Sequence, residues 1–200
     1  MELNTAIKQL ANIHAQLSKN HVYPGIRALP VALSGLSALL AACLQQFYLQ
    51  PEHITDFVVF WVGLALINLV FMGGLIIYRH HRQASHWEYH QIHEILMQFI
   101  PMLLVGGIMT LIFYTHIPHA LIYLPGLWSL IFALGIFSCR PYFPYRTYVP
   151  ANYYLLVGSA LLWFAPHFTQ PQAWMMALSF GMGQLLIAAI LYWDMERDEK

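Results

Sequence analysis

Apolar residues run through this chain in six long blocks separated by short polar breaks. The blocks are roughly Pro30–Leu49, Phe57–Tyr78, Gln98–Tyr114, His119–Ser138, Val149–Ala165 and Ala173–Trp193. Each approaches the ~20 residues that a helix needs to cross a bilayer core, and the third and fifth are the shortest. None carries a charge near its centre. None alternates apolar with polar positions, which excludes a transmembrane barrel. The pattern predicts an all-α fold, a polytopic membrane protein with six transmembrane helices.

A different period precedes them. Leu3, Ala6, Ile7, Leu10, Ile13 and Leu17 recur at helical spacing, with Asn4, Lys8, Gln9, Asn12 and Gln16 on the remaining face. This predicts an amphipathic helix lying on the membrane or docked to protein. Tyr23-Pro24-Gly25 then turns the chain toward the first span. The organisation expected is an amphipathic N-terminal cytoplasmic helix over residues 1–26, a six-helix transmembrane domain over 27–195, and a cytoplasmic tail over 196–200. The first twenty residues lack an apolar signal core, so the first span is expected to serve as its own insertion signal.

Composition supports lipid as the outer solvent. Hydrophobic residues make up 59% of the 200 and charged residues 9%, against about 25% charged in a soluble domain. The nine Lys and Arg residues set the orientation. Lys8, Lys19 and Arg27 precede span one; Arg79 and Arg82 follow span two; Arg140 and Arg146 follow span four; Arg197 and Lys200 follow span six. The three opposite connections have none. The positive-inside rule then expects both termini in the cytoplasm. Tyr and Trp near both ends of the spans fit the two interfaces of a membrane. Zero net charge offers nothing to a nucleic-acid backbone, so no such partner is expected. Cys43 and Cys139 fall at different depths, too far apart for a mutual disulfide.

Three stretches, RALPVALSGLSALLAA from Arg27, LPGLWSLIFALGIFSCRPYFP from Leu124 and FGMGQLLIAAILYWDMER from Phe180, together resemble a family of small, uncharacterised six-span bacterial inner-membrane proteins. The resemblance covers most of the chain. It implies a bacterial inner-membrane location and no activity, substrate or site.

The main polar stretch is the inner loop Arg79–Glu94, RHHRQASHWEYHQIHE. On a helix, His86, His90 and His93 stand at i, i+4 and i+7, within roughly 60° of one another. Such a pair suits zinc or another imidazole-binding divalent metal. His86 and His93 are about 10.5 Å apart along the axis, so one ion would use a pair plus Glu94, His80, His81 or His14. The iron-binding histidine boxes of membrane desaturases need further boxes that the later inner segments lack. The alternative is an interfacial polar face that titrates near pH 6.5.

No ionisable residue lies at mid-depth, which disfavours a pump built on a buried carboxylate. Asn68 and Gln184 are the polar residues expected to line a cavity or join helices by hydrogen bonds. Gly73-Gly74, Gly106-Gly107 and Gly181-Met182-Gly183 would permit close helix approach or line a cavity. VGLALINLVF in span two is similar to LVGSALLWF in span five, and LLVGGIMTLIFY in span three to FGMGQLLIAAILYW in span six, consistent with an inverted three-plus-three repeat. No nucleotide, nucleophile or metalloprotease motif occurs, so an enzyme is not expected. The first expectation is a small transporter or permease-like component, with a possible homo-oligomer. The alternatives are a non-catalytic membrane partner docking a cytoplasmic protein, or a histidine-based metal-binding membrane protein.

Overall fold

Small residues form the seams between the helices, and large apolar residues cover the outside. A computed structural model describes residues 26–48, 53–83 and 86–197. The expected N-terminal helix lies outside the described residues. Every described element is helical: α1 (Ala28–Phe47), α2 (Ile54–Gln83), α3 (His86–His116), a 3-10 segment (Pro118–Tyr123) leading into α4 (Leu124–Ser138), α5 (Tyr148–Phe164) and α6 (Ala173–Glu196). Among the described residues, five segments are long and apolar enough to cross a membrane: α1, α2, α3, α4 with its 3-10 lead-in, and α6.

On α1, Ala28, Val31, Gly35, Ala38, Ala42 and Gln45 are buried at alternating spacings of three and four, the period of a helix-packing seam. Leu29, Leu33, Leu36, Leu40 and Leu44 are exposed. A soluble helix would reverse this arrangement. In lipid, leucine gains nothing by turning inward, and close backbone approach holds the helices together.

The seam of α1 packs on α6; α6 packs on α5, α5 on α4, and α4 on α3. A Cβ added at Gly35 would stand 3.0 Å from the Gly181 carbonyl oxygen of α6. At Gly126 of α4 it would stand 2.9 Å from the Gly158 carbonyl oxygen of α5, and the reverse distance is also 2.9 Å. α2 leans on α1 through a Trp61 Nε1 donation to Gln45 Oε1 at 2.7 Å and an Asn68–Ser37 hydrogen bond at 3.2 Å. Trp128 Nε1 of α4 donates to Thr110 Oγ1 of α3 at 2.9 Å.

One end of the bundle is tied by polar contacts. The Ala28 N–H at the start of α1 donates to Glu196 Oε1 at the end of α6 at 2.8 Å. A carboxylate there satisfies an orphan donor and complements the helix dipole. Arg146, just before α5, pairs with Asp194 at 3.2 Å. These contacts gather the start of α1, the start of α5 and the end of α6 at one end, with Arg27, Arg140, Arg146 and Arg197 in the adjoining segments.

Several expectations change. α2 and α3 are 30 and 31 residues long, so the stretch read as an inner loop is largely helix. Pro125 occupies the first turn of α4 after the 3-10 segment, where a missing N–H costs little. Pro101 sits inside α3, which continues through it. Among the described spans, α4 with its 3-10 lead-in and α6 are the most buried and α2 and α3 the least.

Candidate functional site

Length sets α2 and α3 apart. At about 1.5 Å per residue each runs roughly 45 Å, against a hydrocarbon core of about 30 Å. The excess falls at the C-terminal end of α2 and the N-terminal end of α3. Helix continues there because Arg79–Gln83 and His86–Glu94 contain neither Gly nor Pro. The two helices make few contacts with each other along their lengths.

The polar end of α3 is anchored on one side. Gln91, Ile92 and Ile95 are buried. Ile92 and Ile95 cluster with Cys139, Ile26, Phe99, Tyr142 and Phe143. The Cys139 thiol donates to the Ile95 carbonyl at 3.8 Å. Tyr142 has its phenol held above the usual range, first by burial and then by the charge of Glu94. The other side is open, and His93 is exposed there.

Of the three candidate metal ligands, His93 is therefore on the open face. The backbones of His86 and His90 belong to α3, but their side chains lie outside the described residues, as do those of His80, His81 and His14. Among the described residues no group of three or more His, Cys, Asp or Glu side chains is placed to hold a metal. Asn68 joins α2 to α1: its amide nitrogen donates to Ser37 Oγ at 3.2 Å and to the Leu64 carbonyl at 3.0 Å. Gln184 lies at the α1–α6 seam opposite Gly35. The two lean on neighbouring turns of α1 and are not brought together. Among the described residues, nothing outside their own helix backbone stands within 4 Å of a Cβ added at Gly73, Gly74 or Gly107.

Two features were not found from sequence. Residues Ala177–Gly181 of α6 form a π-helical turn, a geometry that often marks functional positions. Tyr153 Oη of α5 donates to the Leu178 carbonyl in that turn at 2.6 Å. Tyr154 is fully buried against Phe132 and Phe180, with ring centroids 4.9 and 5.7 Å away, and its hydroxyl has no partner among the described residues. The second feature is a cavity at the end opposite the arginines, lined by Gln45, Gln46, Phe57, Gln170, Pro171, Gln172 and Ala173. Glutamines from distant segments carry no shared spacing, so sequence alone gave no signal for it.

Burial pushes the Cys139 thiol up to about 11. At pH 8 only about one molecule in a thousand would carry the reactive thiolate. In a Cys43→Ser background, iodoacetamide should leave the folded protein unlabelled at pH 8 and label it after denaturation. An unfolded cysteine titrates near 9.0, so this group withdraws stability as pH rises from about 9 towards 11. Labelling of the native protein at the rate of a free thiol would contradict the burial.

Comparison of the chain with protein-family models, with curated proteins and with solved structures finds no match.

Proposed function

We propose that the chain is a six-span bacterial inner-membrane protein with both termini in the cytoplasm, acting as a non-catalytic docking subunit for a cytoplasmic protein. The observation that carries this reading is the continuation of α2 and α3 as helix beyond bilayer thickness, with one side of the α3 end braced and the other exposed. A helix supported on one face and open on the other is a rigid platform, which limits the entropy lost when a partner binds.

The sixth span is α5. It has 17 residues, extended by the 3-10 turn Ala165–His167. It packs between α4 and α6, each of spanning length, so a membrane that contains them contains it. The segregation of all nine Lys and Arg residues supports the orientation.

Photo-crosslinking in cells tests the docking reading. A photoreactive residue at His93 should give a discrete adduct with a cytoplasmic protein. One at Leu104, exposed in the apolar part of α3, should give only lipid adducts. Lipid adducts alone from both positions would end the proposal.

Two other readings remain proposals of lower rank. A small transporter or permease-like component is favoured by the glutamine-lined cavity, and flux into proteoliposomes would test it. Metal binding through His86, His90 and His93 predicts near-stoichiometric zinc after purification that His90→Ala removes. Zinc content unchanged in that variant would exclude this ligand set.

A further inference from the structure

The cavity opposite the arginine end is lined by four glutamines, Gln45, Gln46, Gln170 and Gln172. Its centre is Gln45, 3% exposed in the last turns of α1. The Trp61 indole N–H donates to Gln45 Oε1 at 2.7 Å. An indole nitrogen can only donate, so this bond fixes which end of the carboxamide is oxygen. The amide NH2 is then the donor end of Gln45, a residue that lines the cavity. Gln172, half-buried on the facing segment, donates through Nε2 to the Gln170 carbonyl at 3.0 Å, which leaves its Oε1 as an acceptor. Phe57, Pro171 and Ala173 supply an apolar wall.

Lining chemistry selects the ligand class. Among the described residues the lining carries amides and no charged side chain, which favours a neutral hydrogen-bonding group. A donor and an acceptor offered by one lining suit a hydroxyl group, which is both. The volume is about 160 Å³, close to the ~150 Å³ cavity that accepts a benzene-sized guest and below the range for drug-sized ligands. We propose that this cavity binds a small uncharged polyol of about glycerol size, through the Gln45 amide NH2 and the Gln172 carbonyl. The same chemistry is carried by a free polyol in the aqueous phase and by the terminal glycerol of a lipid headgroup.

The full chain in phosphatidylcholine nanodiscs should give saturable saturation-transfer NMR signals with glycerol and erythritol, and none with glycerate. Gln45→Glu keeps the acceptor for Trp61 but loses the NH2, so it should weaken erythritol binding about tenfold or more. It should also gain binding of serinol, the amino analogue of glycerol. Gln172→Met, which leaves the Trp61 bond intact, should weaken erythritol to a similar degree if the first variant does not fold. Nanodiscs containing phosphatidylglycerol separate the sources: a lipid headgroup would suppress the erythritol signal there and not in phosphatidylserine discs. Absence of saturable binding by either polyol in phosphatidylcholine, with no retention of phosphatidylglycerol, overturns the proposal. Equal erythritol binding by wild type and both variants overturns it as well.

Discussion

Gly183→Ala is expected to destabilise the bundle by about 2–3 kcal/mol, the upper part of the range for overpacking a filled core. The added Cβ would stand 2.3 Å from Tyr154 Cζ and 2.5 Å from its hydroxyl oxygen. The ring cannot withdraw, because Phe132 and Phe180 pack against it and the residue is fully buried. Tyr154→Ala, itself destabilising through the cavity it leaves, should make the second substitution nearly harmless, giving a large coupling in a double-mutant cycle. Tyr154→Phe should act in the opposite direction and stabilise by about 1–3 kcal/mol, since it removes a buried hydroxyl with no partner. Thermal unfolding in detergent, followed by circular dichroism, would measure all three. A loss of stability in Tyr154→Phe would mean that a water or ligand holds that hydroxyl.

Gly158→Ala is expected to force α4 and α5 apart and to cost about 1–3 kcal/mol. The new Cβ would meet the Gly126 carbonyl oxygen at 2.9 Å and Leu130 Cδ2 at 3.0 Å. The leucine can rotate, but a backbone oxygen in the partner helix moves only with its helix. Gly107→Ala provides the contrast. Among the described residues, nothing outside its own helix backbone stands within 4 Å of its Cβ, so the substitution should be neutral or should gain up to about 1 kcal/mol of helix propensity. Equal costs at Gly158 and Gly107 would contradict the packing. A cost at Gly107 alone, accompanied by dissociation of an oligomer, would show that a second copy covers that face.

Part of the candidate site was legible in the sequence. The helical spacing of His86, His90 and His93 is a one-dimensional property, and α3 does carry all three positions. Composition misled at the same place, because a charged, histidine-rich stretch reads as a loop unless its lack of Gly and Pro is weighed. Asn68 was identified as a polar residue needing a partner, but the partner, Ser37, is 31 positions away. The glycine pairs show the limit most clearly. Gly73-Gly74 and Gly181-Met182-Gly183 look equally suited to close packing, yet among the described residues the first meets nothing outside its own helix backbone within 4 Å and the second meets Leu39 and Tyr154.

From the order of residues alone came helical class, apolar segments compatible with a membrane, their approximate positions and the confinement of the cations to alternate connections. These depend on local composition and on the length of each apolar block, and both are properties of the chain read in one dimension. Tertiary structure decided which helices are most buried, which glycines stand against a neighbouring helix, where Tyr154 is buried and how glutamines from α1 and the segment before α6 come to share a cavity. In lipid almost every surface is apolar, so hydropathy does not distinguish a face covered by protein from one covered by acyl chains. Only the shape of the opposing backbone does.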